Sequence, residues 1–199
     1  MMAKWFTVGA IAALLGSVGL CLGANALPGD IKDDVEAWIE ANPSFRESQI
    51  NNLTVTRFNT AAQKFTFEAS LYSPTYIDEE PYGLVRSEEI SFFDVTNGVT
   101  FERLEEALRT IYGVNVYQDY AAAREVYAYP SISTINRSKR TNLLTLRAQT
   151  GRLYEGDRFA YWIEVIKVDP DNSDFANRGK IVVMEKFDLP ALENQLSSR

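Results

Sequence analysis

The stretch LYEGDRFAYWIEVIKV, residues 153–168, decides the fold. Glu155-Gly156-Asp157 is a turn signal, and the runs Leu143–Leu153 and Arg158–Val168 on either side are rich in strand-forming residues. That combination predicts a β-hairpin. A polar segment from Asp169 to Gly179 leads to a third run, Lys180–Phe187, so the last third reads as an antiparallel meander.

Upstream, the same period of two recurs. Phe65, Phe67, Ala69 and Leu71 alternate with Thr66, Glu68, Ser70 and Tyr72, which predicts a strand with one buried face. Leu53–Phe58 precedes it across Asn59–Gln63, and Leu84–Val95 follows a loop bounded by Pro74 and Pro81. Helical spacing separates these strands. Ile31, Val35, Trp38 and Ile39 lie behind a possible cap at Asp30, and Asn42-Pro43 ends that helix. Thr100 caps a second helix whose apolar face is Phe101, Leu104, Ala107, Leu108 and Ile111, and Gly113 stops it. Val114–Val116 reads as extended, Tyr117–Glu125 as a short helix, and Val126–Tyr129 as extended into Pro130, followed by a long polar loop. Asp188-Leu189-Pro190 opens a closing helix. The sum is an α+β fold, a mostly antiparallel sheet with helices packed on one face, in a single domain over residues 27–199. No internal repeat, low-complexity tract or long linker interrupts it.

Residues 1–26 have a different character. Lys4 is followed by the uncharged run Trp5–Leu22 and then Ala24-Asn25-Ala26, the order of a secretory signal peptide cleaved after Ala26. The rival reading is an uncleaved anchor, since the run would span about 27 Å as a helix against a hydrocarbon core of about 30 Å. Gly9, Gly16, Gly19 and Gly23 weaken that helix, and Leu20 before Cys21 disfavours a lipoprotein site. In either version the body of the chain is exported. After signal removal no transmembrane segment is expected.

The chain has no histidine, and its one cysteine lies within the leader. A Ser-His-Asp triad, an imidazole base, a thiolate nucleophile and iron–sulfur ligation are therefore excluded from residues 27–199. No cofactor or resident metal is expected. The formal charge is −7, and loss of Lys4 makes it one unit more acidic. Such a balance argues against nucleic acid as a partner.

Candidate sites are few. Asp169-Pro170-Asp171-Asn172-Ser173-Asp174 has the oxygen density of a calcium loop, but Asp174 and Lys180 stand where an EF-hand needs glycine and a bidentate glutamate. It reads as a solvated turn. Glu102 and Glu106 share an exposed helix face, with Glu105 and Arg109 spaced for an ion pair. Asp78-Glu79-Glu80 and Glu88-Glu89 could line an acidic cleft, although strand alternation sends Glu88 and Glu89 to opposite faces. Arg137-Ser138-Lys139-Arg140 is the one basic cluster, expected in the loop after Pro130, and Arg147, Arg152 and Arg158 could extend it. Tyr112, Tyr117, Tyr120, Tyr127 and Tyr129 crowd the segment before it. Such tyrosines pack into cores and sheet faces, and beside basic residues they also suit a contact surface.

Residues Gly156–Glu164, Gly179–Lys186 and Asp188–Glu193 resemble exported proteins of unknown function from cyanobacteria. The resemblance covers the last quarter of the chain. It implies a periplasmic or thylakoid-lumen setting and supplies no activity. The expectation is a non-enzymatic accessory protein that binds another exported or membrane protein through Tyr127, Tyr129, Arg137, Lys139 and Arg140. The alternatives are a carrier of a small apolar ligand, with its pocket near Trp162, and a carboxylate-based hydrolase of glycans or cell wall.

Overall fold

The computed structural model describes residues 27–72 and 83–198. The expected cleavage site at Ala24 and Ala26 and the Pro74–Pro81 loop with Asp78, Glu79 and Glu80 lie outside the described residues.

Helix α1 (Lys32–Ala41) turns Val35, Trp38 and Ile39 inward. Asp30 does not cap it. Gly29, at φ 97°, turns the chain so that the Asp30 carboxylate reaches back to the Leu27 amide at 2.9 Å, leaving Ile31 at the cap position. Strands β1 (Gln49–Asn51), β2 (Thr54–Thr60), β3 (Gln63–Leu71) and β4 (Val85–Asp94) form the first meander. Helices α2 (Phe101–Tyr112) and α3 (Val114–Ala122) follow, then β5 (Arg124–Tyr129), α4 (Ile132–Thr141) and α5 (Leu144–Ala148). The second meander continues through β6 (Gln149–Glu155), β7 (Ala160–Lys167) and β8 (Ala176–Met184), and α6 (Leu189–Ser197) closes the chain. No helix among the described residues is long and apolar enough to cross a membrane.

The strands form one eight-stranded sheet in the order β1-β2-β3-β4-β8-β7-β6-β5, with every pair antiparallel. Two sequential meanders therefore meet at one seam, where Ile90 of β4 faces Ile181 of β8. Exchanging the two sets of four strands maps the order onto itself, so the topology has a repeat that the sequence does not display. One feature breaks it. Asn51 and Thr54 are joined by the tight turn through Asn52 and Leu53, whereas α4 and α5 are inserted between the corresponding strands β5 and β6.

Alternation gives the sheet two unlike faces. Val55, Phe65, Phe67, Ile90, Ile163, Ile181 and Val183 lie under α1, α2 and α3 and are fully or nearly fully buried. Trp38 packs on Phe67 at 5.7 Å, on Phe45 edge-on at 5.6 Å and on Tyr112 at 5.8 Å. Burying each such side chain is worth about 1.5–3 kcal/mol, which makes this layer the principal source of stability. On the opposite face α6 covers only part of the sheet, through Leu189, Leu192 and Leu196 against Leu153, Val182 and Met184.

The expected α+β architecture is observed, with α1, α2 and α3 on one face of the sheet and α6 added on the other. Three local expectations are corrected. Val114–Val116 is the first turn of α3, because Gly113 at φ 80° ends α2 and lets a new helix start at once. The basic run 137–140 is helical, since Ser131 caps α4 by accepting from the Thr134 amide and Asn142, at φ 53°, closes it. Leu144–Ala148 is helix and not strand, so β6 begins only at Gln149. Asp119 on α3 clamps the β6–β7 turn by accepting from the amides of Asp157, Arg158 and Phe159 and from the Tyr161 hydroxyl at 2.7 Å.

Gly151 on β6 is a point where the packing admits no side chain. A Cβ there would collide with the Tyr129 Oη and lie 2.8 Å from the Ile163 carbonyl oxygen. Tyr129 could rotate away, but the backbone of β7 cannot. Gly151→Ala should therefore cost about 1–3 kcal/mol, as overpacking does. At roughly 2–4 °C per kcal/mol for a chain of this size, thermal denaturation will register the loss.

Candidate functional site

The inserted helices α4 and α5 form a small lobe beside edge strand β5. Its internal structure rests on buried Ser138. The Ser138 hydroxyl donates to the Leu143 carbonyl, and the Leu143 amide donates to the Ser138 carbonyl at 3.0 Å, folding the corner between the helices. Arg147 then locks the corner to the body. Its Nη1 donates to the Ser138 hydroxyl at 2.9 Å, and its fork holds Asp171 at 2.9 and 2.6 Å. Bidentate geometry is what arginine supplies and lysine does not.

The outer surface of the lobe is basic and apolar together. Lys139 and Arg140 are exposed in the last turn of α4, and Arg137 is exposed one turn earlier. Ile132 is 80% exposed, with Leu143 and Leu144 half exposed at the corner. A pocket of about 450 Å³ lies under α4, with Lys139, Arg147, Arg152 and Lys167 around it. Most of that charge is already matched. Arg147 is held by Asp171, Lys167 reaches Asp174 at 2.6 Å, and Arg152 lies 3.8 Å from Glu125. Lys139 makes no close ion pair among the described residues, but its charge acts on Asp171, which lines the same pocket.

Tyr129 lines the same pocket as Lys139, so these two expected site residues come together. The Tyr129 hydroxyl, however, donates to Glu164 at 2.5 Å and accepts from the Trp162 indole N–H at 2.8 Å. Tyr127 stacks on Tyr129 at 6.1 Å, and both pack toward the α6 side of the sheet. The tyrosines thus offer area more than free donors. Of the three arginines considered as extensions, Arg147 and Arg152 border the pocket. Arg158 sits at the β6–β7 turn, over Phe159.

The acidic candidates separate. Glu102 is exposed, Glu106 pairs with Arg109 at 2.7 Å, and Glu105 accepts from the Tyr120 hydroxyl at 2.9 Å, so the expected Glu105–Arg109 pair is replaced. In the 169–174 turn Asp169 accepts from the amides of Asp171 and Asn172, while Asp171 and Asp174 pair with bases. Glu89 meets Lys180 at 2.9 Å on the α6 side. Glu88 points the other way into the helix-covered core, fully buried, with Tyr112 donating to it at 2.6 Å. Its second oxygen has no partner among the described residues. The two glutamates therefore do not face each other across a cleft. Trp162, expected beside a carrier pocket, lines a groove of about 420 Å³ between the sheet and α6.

Sequence reasoning found the basic cluster but missed what supports it. Ser131 three residues before Thr134, with Asn142 beyond, is a start and stop pair for a helix. It was legible beside the basic run. Arg147–Asp171 was not, since nothing local links residues so far apart.

The chain matches no family model, no characterised protein and no solved structure in comparisons with each.

Burial raises the Glu88 carboxyl to about 8, against the hydrogen bond from Tyr112, which favours the charged form. Between pH 4.5 and about 8 the folded chain holds a proton that the unfolded chain has released. The associated stability is complete below that window and is lost as pH rises through it, by up to about 1.4 kcal/mol per pH unit. Denaturant titrations at pH 5, 6, 7 and 8 should show this decline, and Glu88→Gln should flatten it.

Proposed function

We propose that this chain is an exported, non-enzymatic accessory protein of the periplasm or thylakoid lumen, which docks onto an acidic patch of another exported or membrane protein through α4 and the α4–α5 corner. The observation that carries this reading is the lobe itself. It is an insertion between two neighbouring strands, anchored from within by Arg147 and Ser138. Outward it presents Arg137, Lys139 and Arg140 together with exposed Ile132, Leu143 and Leu144. On a chain of net charge −7, a localised basic patch favours approach to an acidic partner surface. The apolar residues supply the desolvated centre that charges alone do not. Tyr127 and Tyr129 extend the apolar edge.

The geometry around Leu27 supports the export reading. The Leu27 amide nitrogen lies 2.9 Å from the Asp30 carboxylate, and Leu27 and Pro28 are buried. Cleavage after Ala26 would convert that amide into an ammonium group already facing its counter-charge. In the chain beginning at Leu27, Asp30→Asn should lower stability by about 1 kcal/mol, read by thermal denaturation after mass spectrometry has confirmed the N-terminus.

The docking reading is tested with the Arg137→Glu, Lys139→Glu, Arg140→Glu triple variant. These exposed sites should leave the melting temperature nearly unchanged, since surface substitutions stay within about 0.5 kcal/mol. Capture of the partner by the tagged wild-type chain should fall with added salt and vanish in the variant. Undiminished capture by the variant would remove the lobe from the interface.

A further inference from the structure

The sheet face that α6 leaves uncovered holds a second concave region, centred on β3, β4 and β8 and lined by no residue of α4 or α5. Strand register spells it out. Lys64 of β3, Phe93 of β4 and Arg178 of β8 stand directly across from one another, and Thr66, Ser91 and Lys180 form the next rank. All six line one groove of about 470 Å³. Adjacent strands are about 4.8 Å apart, so Lys64 and Arg178 flank the intervening Phe93 at roughly twice that spacing.

The charges there are unusual for this molecule. Acidic residues outnumber basic ones 27 to 20, yet neither Lys64 nor Arg178 has an acidic partner among the described residues. Arg178 lies 5.3 Å from the Phe93 ring centroid, and Lys64 lies 5.7 Å from that of Phe58. Each cation thus rests against an aromatic ring, with its donors unspent. Lys180 is shared between Glu89 at 2.9 Å and the Trp162 ring at 3.9 Å. The Thr66 and Ser91 hydroxyls below make no hydrogen bond to other described residues. The one carboxylate lining the groove, Glu164, stands at the β7 side and is tied to the Tyr129 hydroxyl. The groove is therefore polarised, with free cations and hydroxyls over β3, β4 and β8 and negative charge confined to its far edge. Phe93 and Ile166 give it apolar walls.

We infer that this groove binds a small amphipathic anion, with its oxyanion head between Lys64 and Arg178 above the Thr66 and Ser91 hydroxyls and its flat apolar body against Phe93 and Ile166. The head is a carboxylate or a phosphate, since both accept the charge-assisted bonds these side chains offer. The site is independent of the α4–α5 lobe.

The test is a titration of the purified protein followed by two-dimensional amide NMR, watching Thr66, Ser91 and Gly179. The probes are phenyl phosphate, benzoate, inorganic phosphate and uncharged benzyl alcohol. Phenyl phosphate or benzoate should give saturable shifts confined to the groove, and which of the two binds more tightly identifies the head. Lys64→Gln with Arg178→Gln should weaken that binding at least about tenfold. If the double variant proves poorly folded, Arg178→Lys keeps the charge while removing the planar fork, and should still weaken binding. The α4 triple variant should bind the probes as wild type does, which separates failure here from failure of the docking reading. The inference is overturned if neither aromatic anion saturates, or if inorganic phosphate or benzyl alcohol binds as tightly as the better of them. Binding indifferent to Lys64 and Arg178, or abolished by the α4 substitutions, overturns it equally.

Discussion

The register between β4 and β8 is the constraint on which the molecule depends. Ile90 opposite Ile181, and Glu88 opposite Val183, place one alternation of both strands beneath the helices. The other alternation, Glu89, Ser91, Val182 and Lys180, is thereby fixed on the opposite side. A slip of one residue would turn every core side chain to solvent. The seam thus decides which residues build the aromatic layer around Trp38 and Phe67 and which remain to form a polar, partly open surface. Everything said of the two grooves on the α6 side of the sheet follows from this single alignment.

Glu88 departs from the apolar pattern of the core. Glu88 occupies a core position on β4, and Tyr112 of α2 supplies its hydrogen bond. A carboxyl in that place persists only in its neutral form, since an isolated buried charge is far costlier than a shifted protonation. Asp94 shows the contrary case on the same strand. Burial would raise its pKa, but the amides of Asn97 and Thr96, the Arg103 guanidinium and the Asn97 side chain overcome that and hold it well below the ordinary range. Two acids on one strand are thus driven in opposite directions by the donors around them.

Much of this frame was legible in the residues. Period-two alternation in Lys64–Tyr72 and the Glu155-Gly156-Asp157 turn are local signals, and local signals survive folding intact. The α2 cap at Thr100 and its stop at Gly113 were equally plain. Within 114–148 the helix after Tyr117 and the extended run Val126–Tyr129 were legible, but Val114–Val116, the basic run and Leu144–Ala148 were not, since short helices follow one another there and β-branched residues sit in helical turns. There tertiary anchors decide, notably Asp119 on the β6–β7 turn and Arg147 on Asp171, and no window of neighbouring residues contains both ends of such a contact. For the same reason the basic run was visible while its helical setting was not. The convergence of Lys64, Phe93 and Arg178 is purely a matter of register between strands distant in sequence.

The strand order carries a consequence for how the chain reaches this state. Every strand pairing but one joins strands that are consecutive along the chain, and contacts of that range close at smaller entropic cost than distant ones. The exception is the meeting of β4 with β8, which spans α2, α3, the inserted lobe and three strands. The slow part of the search is concentrated in that one closure. Until it happens, each meander exposes an unpaired edge of considerable length, the kind of surface that invites pairing with other chains. The long-range contact that unites the two halves is therefore also the step at which the chain is most open to misassembly.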